Sequence, residues 1–485
     1  MSGLLAYGAY LPYHRLQRKA VAATLGARGG SGTRTVASYD EDTTSLGVEA
    51  ARAALRGSAA AAGPHASGPK QLYFATTAPA YLDKTNATAI HAALGLDESV
   101  LAVDMIGSVR SGVGALLAAN AATEPTLVVL SDIRTGLPGG ADERDGGDGA
   151  AALLVGPGTA DAPVIAEILA SASATEEFLD RWRVPGDDHS RVWEERFGES
   201  IYVPLADRAF ADLLKRIDLT PDQIDHLIVT GLHARSVAAF TKRAGVRADA
   251  LVDGLAKSVG NTGTAHAGLL LADTLDRAEA GRTIVVVVLG DGATAVALRT
   301  TEALAARRPA LSVATQIAGG RDTLRYADFL TWRGRLSTEP PRRPDPDAYA
   351  APPAERNAGW KYGFTGSRCD ECGTRHLPPA RVCRACGAVD HMTPQRLADT
   401  YGTVATFTID RLAFTPSPPL VAVVIDIDGG GRFKCELTDV DPDSVAIGDR
   451  VEMTFRKVNT ARGIHNYFWK ARPVRAAGGT DGQEA

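Results

Sequence analysis

The first 368 residues contain no cysteine; all five, Cys369, Cys372, Cys383, Cys386 and Cys435, lie in the last quarter of the 485-residue chain. The larger part of the protein therefore offers neither a thiol nucleophile nor a disulfide. A surplus of basic charge is also missing. Lys and Arg number 52 against 57 Asp and Glu, a net charge of −5, which excludes the electrostatic footprint of a nucleic-acid binder. Long hydrophobic runs are absent too: "TIVVVVLG" is the size of a strand, far short of the ~20 residues that span a bilayer. "MSGLLAYGAYLP" carries no basic leader and reads as no signal peptide. These absences predict a cytoplasmic protein without a membrane segment, and the length predicts two or three domains.

What is there begins with an α/β pattern. Helical apolar spacing in "TTSLGVEAARAAL" and "DRAFADLLKRI" alternates with short aliphatic runs such as "QLYFATT" and "HLIVTGL", the alternation of a layered core. Two Gly-Asp-Gly-Ala turns, at Asp148 and Asp291, each follow an aliphatic strand and precede another rich in small residues. Their recurrence marks an internal duplication of two similar α/β halves. The pattern fades near residue 305. "DTLRYADFLTWRGRL" reads as an amphipathic helix able to dock on either neighbour, and "STEPPRRPDPDAYAAPPAERNAG" as a proline-rich connector.

Beyond the connector, "CDECGTRHLPPARVCRACG" holds two Cys-x-x-Cys knuckles with ten residues between them. Paired thiolates from two tight turns supply the four soft ligands of tetrahedral zinc, so Cys369, Cys372, Cys383 and Cys386 are read as a structural zinc site with no open position for chemistry. About five β-runs follow, from "TYGTVATFTIDR" to "NYFWKARPVR", with the size of a small OB-type barrel. Cys435 alternates within one of them as a core residue. The barrel has aromatics, but acidic residues from Asp426 through Asp449 offset its basic ones, so single-strand binding is not expected. The domains thus read as a 1–305 core, a 306–360 connector, a 361–392 zinc ribbon, a 393–476 OB-fold and a disordered 477–485 tail.

"AYGAYLPYHRL", "SYDEDTTSLGVEAARAAL", "SVRSGVGAL", "TGLHARSVAAF" and "SVGNTGTAHAGLLLADTLDRA" together resemble 3-hydroxy-3-methylglutaryl-CoA synthases and, more distantly, ketoacyl synthase III. The later residues resemble the rubredoxin-like zinc ribbon plus OB-fold module that accompanies thiolases as a separate subunit. The resemblance implies an α/β, thiolase-like duplicated layered fold followed by a ribbon and a small all-β barrel. It also implies a coenzyme A thioester as substrate. Carried over residue by residue, the family histidine falls on His233 and the asparagine on Asn261. The glutamate register falls on Thr77. The cysteine register falls on Val109, between Ser108 and Arg110, with Ser111 beyond.

Valine cannot be acylated, so the ping-pong half-reaction is lost and the donors around a thioester oxygen remain. The first reading is therefore an acyl-CoA-dependent Claisen- or aldol-type enzyme, or its reverse, working without a cysteine. Two others stay open: acyl transfer through Ser108 or Ser111 with His233 as base, and a non-catalytic CoA-binding scaffold. Val109, Arg110, Thr77, Trp182 and Tyr202 are expected to line the substrate site, the last two from the region where the family places its substrate-tunnel insertion. Expected partners are an acyl-CoA or acyl carrier protein, a second copy of the chain, and a further thiolase-type subunit. Neither nucleic acid nor membrane is expected. Because every matched core position precedes residue 300, removal of 340–485 is expected to leave a folded core.

Overall fold

In the computed structural model, which describes residues 2–26, 30–59, 68–340, 342 and 347–475, the run Thr283–Leu289 is a strand buried on both faces. Ile284, Val286 and Val288 join one apolar cluster, while Val285, Val287 and Leu289 join another. A continuous aliphatic run is what a strand needs when helices cover both sides of its sheet. Thr126–Asp132 does the same, with Val128 and Leu130 on one side and Leu127 and Val129 on the other.

These strands belong to one nine-stranded sheet. At its centre Ser2–Tyr10 pairs antiparallel with Ala166–Ala174. Outward from Ser2–Tyr10 come Gly149–Pro157 and Thr126–Asp132, each antiparallel to its neighbour, and then Gln71–Thr76, parallel to the last. Outward from Ala166–Ala174 come Ala293–Thr300 and Thr283–Leu289, again antiparallel, and then His226–Gly231, again parallel. Order and direction match in both halves, so the duplication read from the two Gly-Asp-Gly turns is a duplication of the fold. Leu101–Ile106 adds an edge strand to the first half alone.

The helices Arg110–Ala121 and His266–Leu275 share one face of the sheet. On the opposite face Thr43–Ala59 covers the first half and Glu195–Ile217 the second. No helix among the described residues is long and apolar enough to cross a membrane. The amphipathic segment supplies the helix Tyr326–Trp332. It docks on the core, where Tyr326 and Phe329 pack with Leu16, Val21 and Val36.

The C-terminal part is a three-stranded ribbon, with Thr365–Cys369 between Arg375–His376 and Met392–Arg396, and a five-stranded barrel. The barrel closes where the Thr438 N–H donates to the carbonyl of Ala471 at 2.9 Å. It does not hang free. Its Phe455, Tyr467 and Trp469 share one apolar cluster with Leu46, Val48 and Ala50 of the core. Beside that cluster, Arg456 is fully buried between Asp40, Glu41 and Asp439 at 2.6–3.3 Å. Lys470 pairs with Asp40, and Arg472 with Glu49 and Glu452. The tail 477–485, expected to be disordered, lies outside the described residues.

Candidate active site

Val109 ends the turn after Leu101–Ile106 and starts the helix Arg110–Ala121, its own side chain offering no cap and the first N–H, that of Arg110, going to Ser108 Oγ at 3.3 Å. The positive end of the helix dipole is thereby aimed past Val109. Its side chain is 9% exposed and packs against the second Gly-Asp-Gly turn: a Cβ on Gly290 would stand 2.7 Å from Val109 Cγ2. In front of Val109 lies a cavity of about 530 Å³, walled also by Ser108, Thr77, Arg134, Asp180, Tyr202 and Asp291. No cysteine lines it.

Each wall has an identifiable support. Thr77 follows the strand Gln71–Thr76, and its N–H and hydroxyl both donate to Asp132, at 2.7 and 3.0 Å. Asp180 precedes Trp182 on the loop after Ala166–Ala174. Burial raises its carboxyl above the ordinary range and Asp291 adds to the rise, while His233, Arg181 and a hydrogen bond from Tyr202 pull the other way. Tyr202 projects from Glu195–Ile217, and its phenol is raised by burial first and by Asp180 and Asp291 next.

His233 caps the helix Ala234–Arg243. Its Nδ1 accepts the backbone N–H of Ser236 at 3.1 Å, and the Ser236 hydroxyl lies at 2.6 Å from the same nitrogen. A backbone N–H can only donate, so Nδ1 is an acceptor and the ring carries its proton on Nε2. Nε2 has no partner, and neither does Oδ1 of Asp180. Both atoms converge on Gly198, where an added Cβ would stand 2.7 Å from Nε2 and 2.6 Å from Oδ1.

The other expected residues are placed unevenly. Asn261 lines a small second pocket that shares Val109 and Leu232 with the main cavity. There its Nδ2 donates to the Gly231 carbonyl at 2.9 Å, and its Oδ1 accepts from Gly263 N–H. Trp182 and Ser108 line the main cavity; Ser111, Arg110 and His233 do not. Arg110 turns instead to the carbonyl of Asp291 and to Thr175. It does not pair with Asp104, whose carboxylate takes the N–H groups of Asn86 and Ala87, both at 2.7 Å. Sequence reasoning missed Asp180, Gly198 and Arg134. Asp180 lies in "FLDRWRVPG", residues 178–186, but a lone aspartate in a loop carries no spacing signal.

The four ribbon cysteines have their Sγ atoms within 4.8 Å of one another. Cys369 and Cys386 stand at 3.6 Å, Cys372 and Cys383 at 3.5 Å, all as free thiols. Thiolates around one zinc at about 2.3 Å stand roughly 3.8 Å apart, so the group fits the ion. The remaining cysteine, Cys435, is partly buried in its strand, packed against the barrel cluster, as the alternation indicated.

Three stretches of the chain match known domain families. Residues 214–300 match the C-terminal part of 3-oxoacyl-[acyl-carrier-protein (ACP)] synthase III, 357–390 the rubredoxin-like zinc ribbon domain of ChsH2, and 395–456 its C-terminal OB-fold domain. The hydroxymethylglutaryl-CoA synthase of Aeropyrum pernix is 28% identical over 351 residues, covering 69% of this chain and 95% of the relative. That of Thermococcus sibiricus is 27% identical, covering 69% and 96%. Among solved structures, the HMG synthase of the curacin biosynthetic pathway aligns with a TM-score of 0.56 at 21% identity, covering 69% of this chain and 88% of that one. The 3-oxoacyl-(acyl carrier protein) synthase III of Pseudomonas aeruginosa aligns at 0.51 and 22%, covering 62% and 98%. The chain thus carries a domain with the fold of these condensing enzymes, followed by stretches that match the zinc ribbon and OB-fold of ChsH2.

Proposed function

We propose that the thiolase-type domain makes or breaks a carbon–carbon bond on an acyl-CoA, or on an acyl carrier protein, without forming an acyl-enzyme. The observation that carries this reading is Val109 at the helix start, facing the cavity where an acyl-accepting nucleophile would have to stand. An aldol-type addition suits such a site better than a Claisen transfer, because it releases no CoA and needs no nucleophile. In the forward direction Asp180 takes the α-proton of the thioester while its oxygen takes up the charge. The α-carbon then bonds the carbonyl carbon of the second reactant, and the resulting alkoxide recovers the proton from Asp180. The reverse runs the same steps backwards.

The charge on the thioester oxygen is met by the positive end of the helix dipole at Val109, in a site where valine keeps the dielectric low, while the Nε2–H of His233 stands beside the Asp180 carboxylate at Gly198 and positions the base. Raised by burial, the Asp180 carboxylate is a stronger base than that of a surface aspartate. Ser108 lacks the help a hydroxyl needs: its Oγ accepts the Arg110 N–H at 3.3 Å, and among the described residues no imidazole or carboxylate bonds it. A second copy of the chain fits the edge strand Leu101–Ile106, which is paired on one side only and exposes Leu101 and Ile106.

The test is solvent deuterium exchange at the α-carbon of acetyl-CoA and longer acyl-CoAs, followed by intact mass of the protein. Exchange that disappears in Asp180→Asn, with no mass added to the chain, is the expected result. A stable acyl adduct would instead select serine acyl transfer.

A further inference from the structure

The irregular segment 78–86 has the cavity on one side and the C-terminal barrel on the other. On its inner side Ala78, Pro79 and Leu82 wall the cavity, with Leu82 at the mouth, 70% exposed. On its outer side stands a hairpin of the barrel, the strands Arg450–Ala461 and Ile464–Pro473. Just past its turn the backbone N–H of His465 donates to the Tyr81 hydroxyl at 2.7 Å. The two rings lie 4.9 Å apart, and the imidazole also hydrogen-bonds the Ala80 backbone. Neither Tyr81 nor His465 lines the cavity.

A loop outside helix and strand has few bonds of its own and takes its position from what it leans on. Tyr81 leans on two supports. From the core, the buried Asn86 side chain accepts the Tyr81 N–H and donates to its carbonyl, both at 2.9 Å, and is itself tied to Asp104. The barrel supplies the other support through His465. A second route runs beside the first: the Tyr467 hydroxyl donates to Asp42 at 2.6 Å, and the adjoining Thr43 donates to the Ala78 carbonyl at 2.8 Å. The hairpin end is fixed in turn. His465 Nδ1 lies 2.8 Å from the Thr460 hydroxyl, and Lys361 donates to Asn466.

We propose that the barrel positions a wall of the active-site cavity: His465 holds the 78–86 loop through Tyr81, so that the affinity for an acyl thioester depends on a contact made outside the cavity. The inference rests on the acyl-CoA reading above for its ligand, though not for the contact itself. His465 and Tyr81 are positioning residues. Their effect is preorganisation, because a wall already held in place need not be ordered when the acyl chain enters.

The experiment uses the full chain and two variants that break different halves of the contact. Tyr81→Phe removes the acceptor of the His465 N–H and keeps the ring, while His465→Ala removes the imidazole and keeps the N–H. Hydrogen exchange is followed at the amides of 78–86 and, for comparison, in the strand Thr126–Asp132; butyryl-CoA binding is followed by calorimetry. In each variant the loop amides are expected to exchange roughly 2- to 10-fold faster and butyryl-CoA to bind more weakly by a similar factor, the range of one net hydrogen bond. The strand amides should exchange as in the wild type. Unchanged loop exchange in both variants overturns the inference, and so does faster loop exchange with wild-type affinity. Acceleration shared equally by the strand would reduce the contact to general support of the fold, and would also overturn it. If the wild type binds no butyryl-CoA, the acyl-CoA reading fails, and the exchange measurement alone decides whether the barrel holds the loop.

Discussion

The Asp180 carboxylate and the His233 imidazole meet over Gly198, with an unpartnered oxygen on one and an unpartnered Nε2–H on the other. An alanine there would intrude on both atoms at 2.6 and 2.7 Å. Gly198→Ala should therefore reduce turnover by about 10²-fold, the usual consequence of a misplacement of one ångström or so. Gly198 lies inside the helix Glu195–Ile217, where alanine is the better helix former, so the melting temperature should fall little. A variant with wild-type kinetics would remove Asp180 and His233 from the chemistry.

His233→Ala deletes the Nε2–H beside the Asp180 carboxylate and should cost about 10²-fold in rate, the usual consequence of a misplaced base. Ser108→Ala and Ser111→Ala should each change the rate only modestly. Abolished activity in either serine variant would restore the nucleophile reading.

The rate should fall as pH falls, because Asp180 must be ionised to take a proton. Its folded pKa is raised by burial, so the acid limb of the profile should lie above the ordinary aspartate value of about 3.9. A limb at or below that value would mean that some other group is the base.

Cys383→Ser should carry less than the one zinc per chain expected of the wild type, as measured by metal analysis. Equal zinc in both proteins would end the assignment of Cys369, Cys372, Cys383 and Cys386 as its ligands.

Removal of residues 340–485 should not leave the stable core that the sequence led one to expect. Asp40, Glu41, Glu49 and Arg52 are buried against Arg456, Lys470, Arg472 and the carbonyl groups of Ala398 and Met453. Arg456→Met alone leaves buried carboxylates uncompensated, a loss of about 3–5 kcal/mol visible in the denaturant midpoint. The junction should also be acid-sensitive. Burial would raise Glu452, but Arg472, Arg52 and Arg56 outweigh it and hold the group at about 2. A lowered carboxyl contributes stability above its unfolded value of about 4.3 and loses it as pH falls toward 2. A truncated core that melts like the full chain would contradict both expectations.

The layered fold, the duplication, the ribbon and the barrel were legible because each leaves a periodic or spaced signature: alternating clusters along Thr283–Leu289, paired turns at Asp148 and Asp291, knuckles at Cys369 and Cys383. The front of the cavity was legible in part, through the position of Val109. Asp180 and Gly198 were not. Their significance lies in which atoms lack partners, a property of three segments brought together from distant parts of the chain. The docking of the barrel was hidden for the same reason. "SYDEDTTSLGVEAARAAL" carries the apolar spacing of an ordinary surface helix, and only the assembled structure puts Arg456 among its carboxylates.

The two Gly-Asp-Gly turns have diverged in what they answer to. Asp148 is fully buried and ties together Arg34, the Ala37 and Arg134 N–H groups, and Arg333. Asp291 stands at the cavity wall, with its backbone in the left-handed region. A molecule built from two copies of one plan can commit the first to its architecture and free the second to follow its chemistry. Mutational tolerance should accordingly be lopsided. Sequences drifting toward a new substrate have room at Asp291, while the same change at Asp148 would be removed as a folding defect before any new activity was tried.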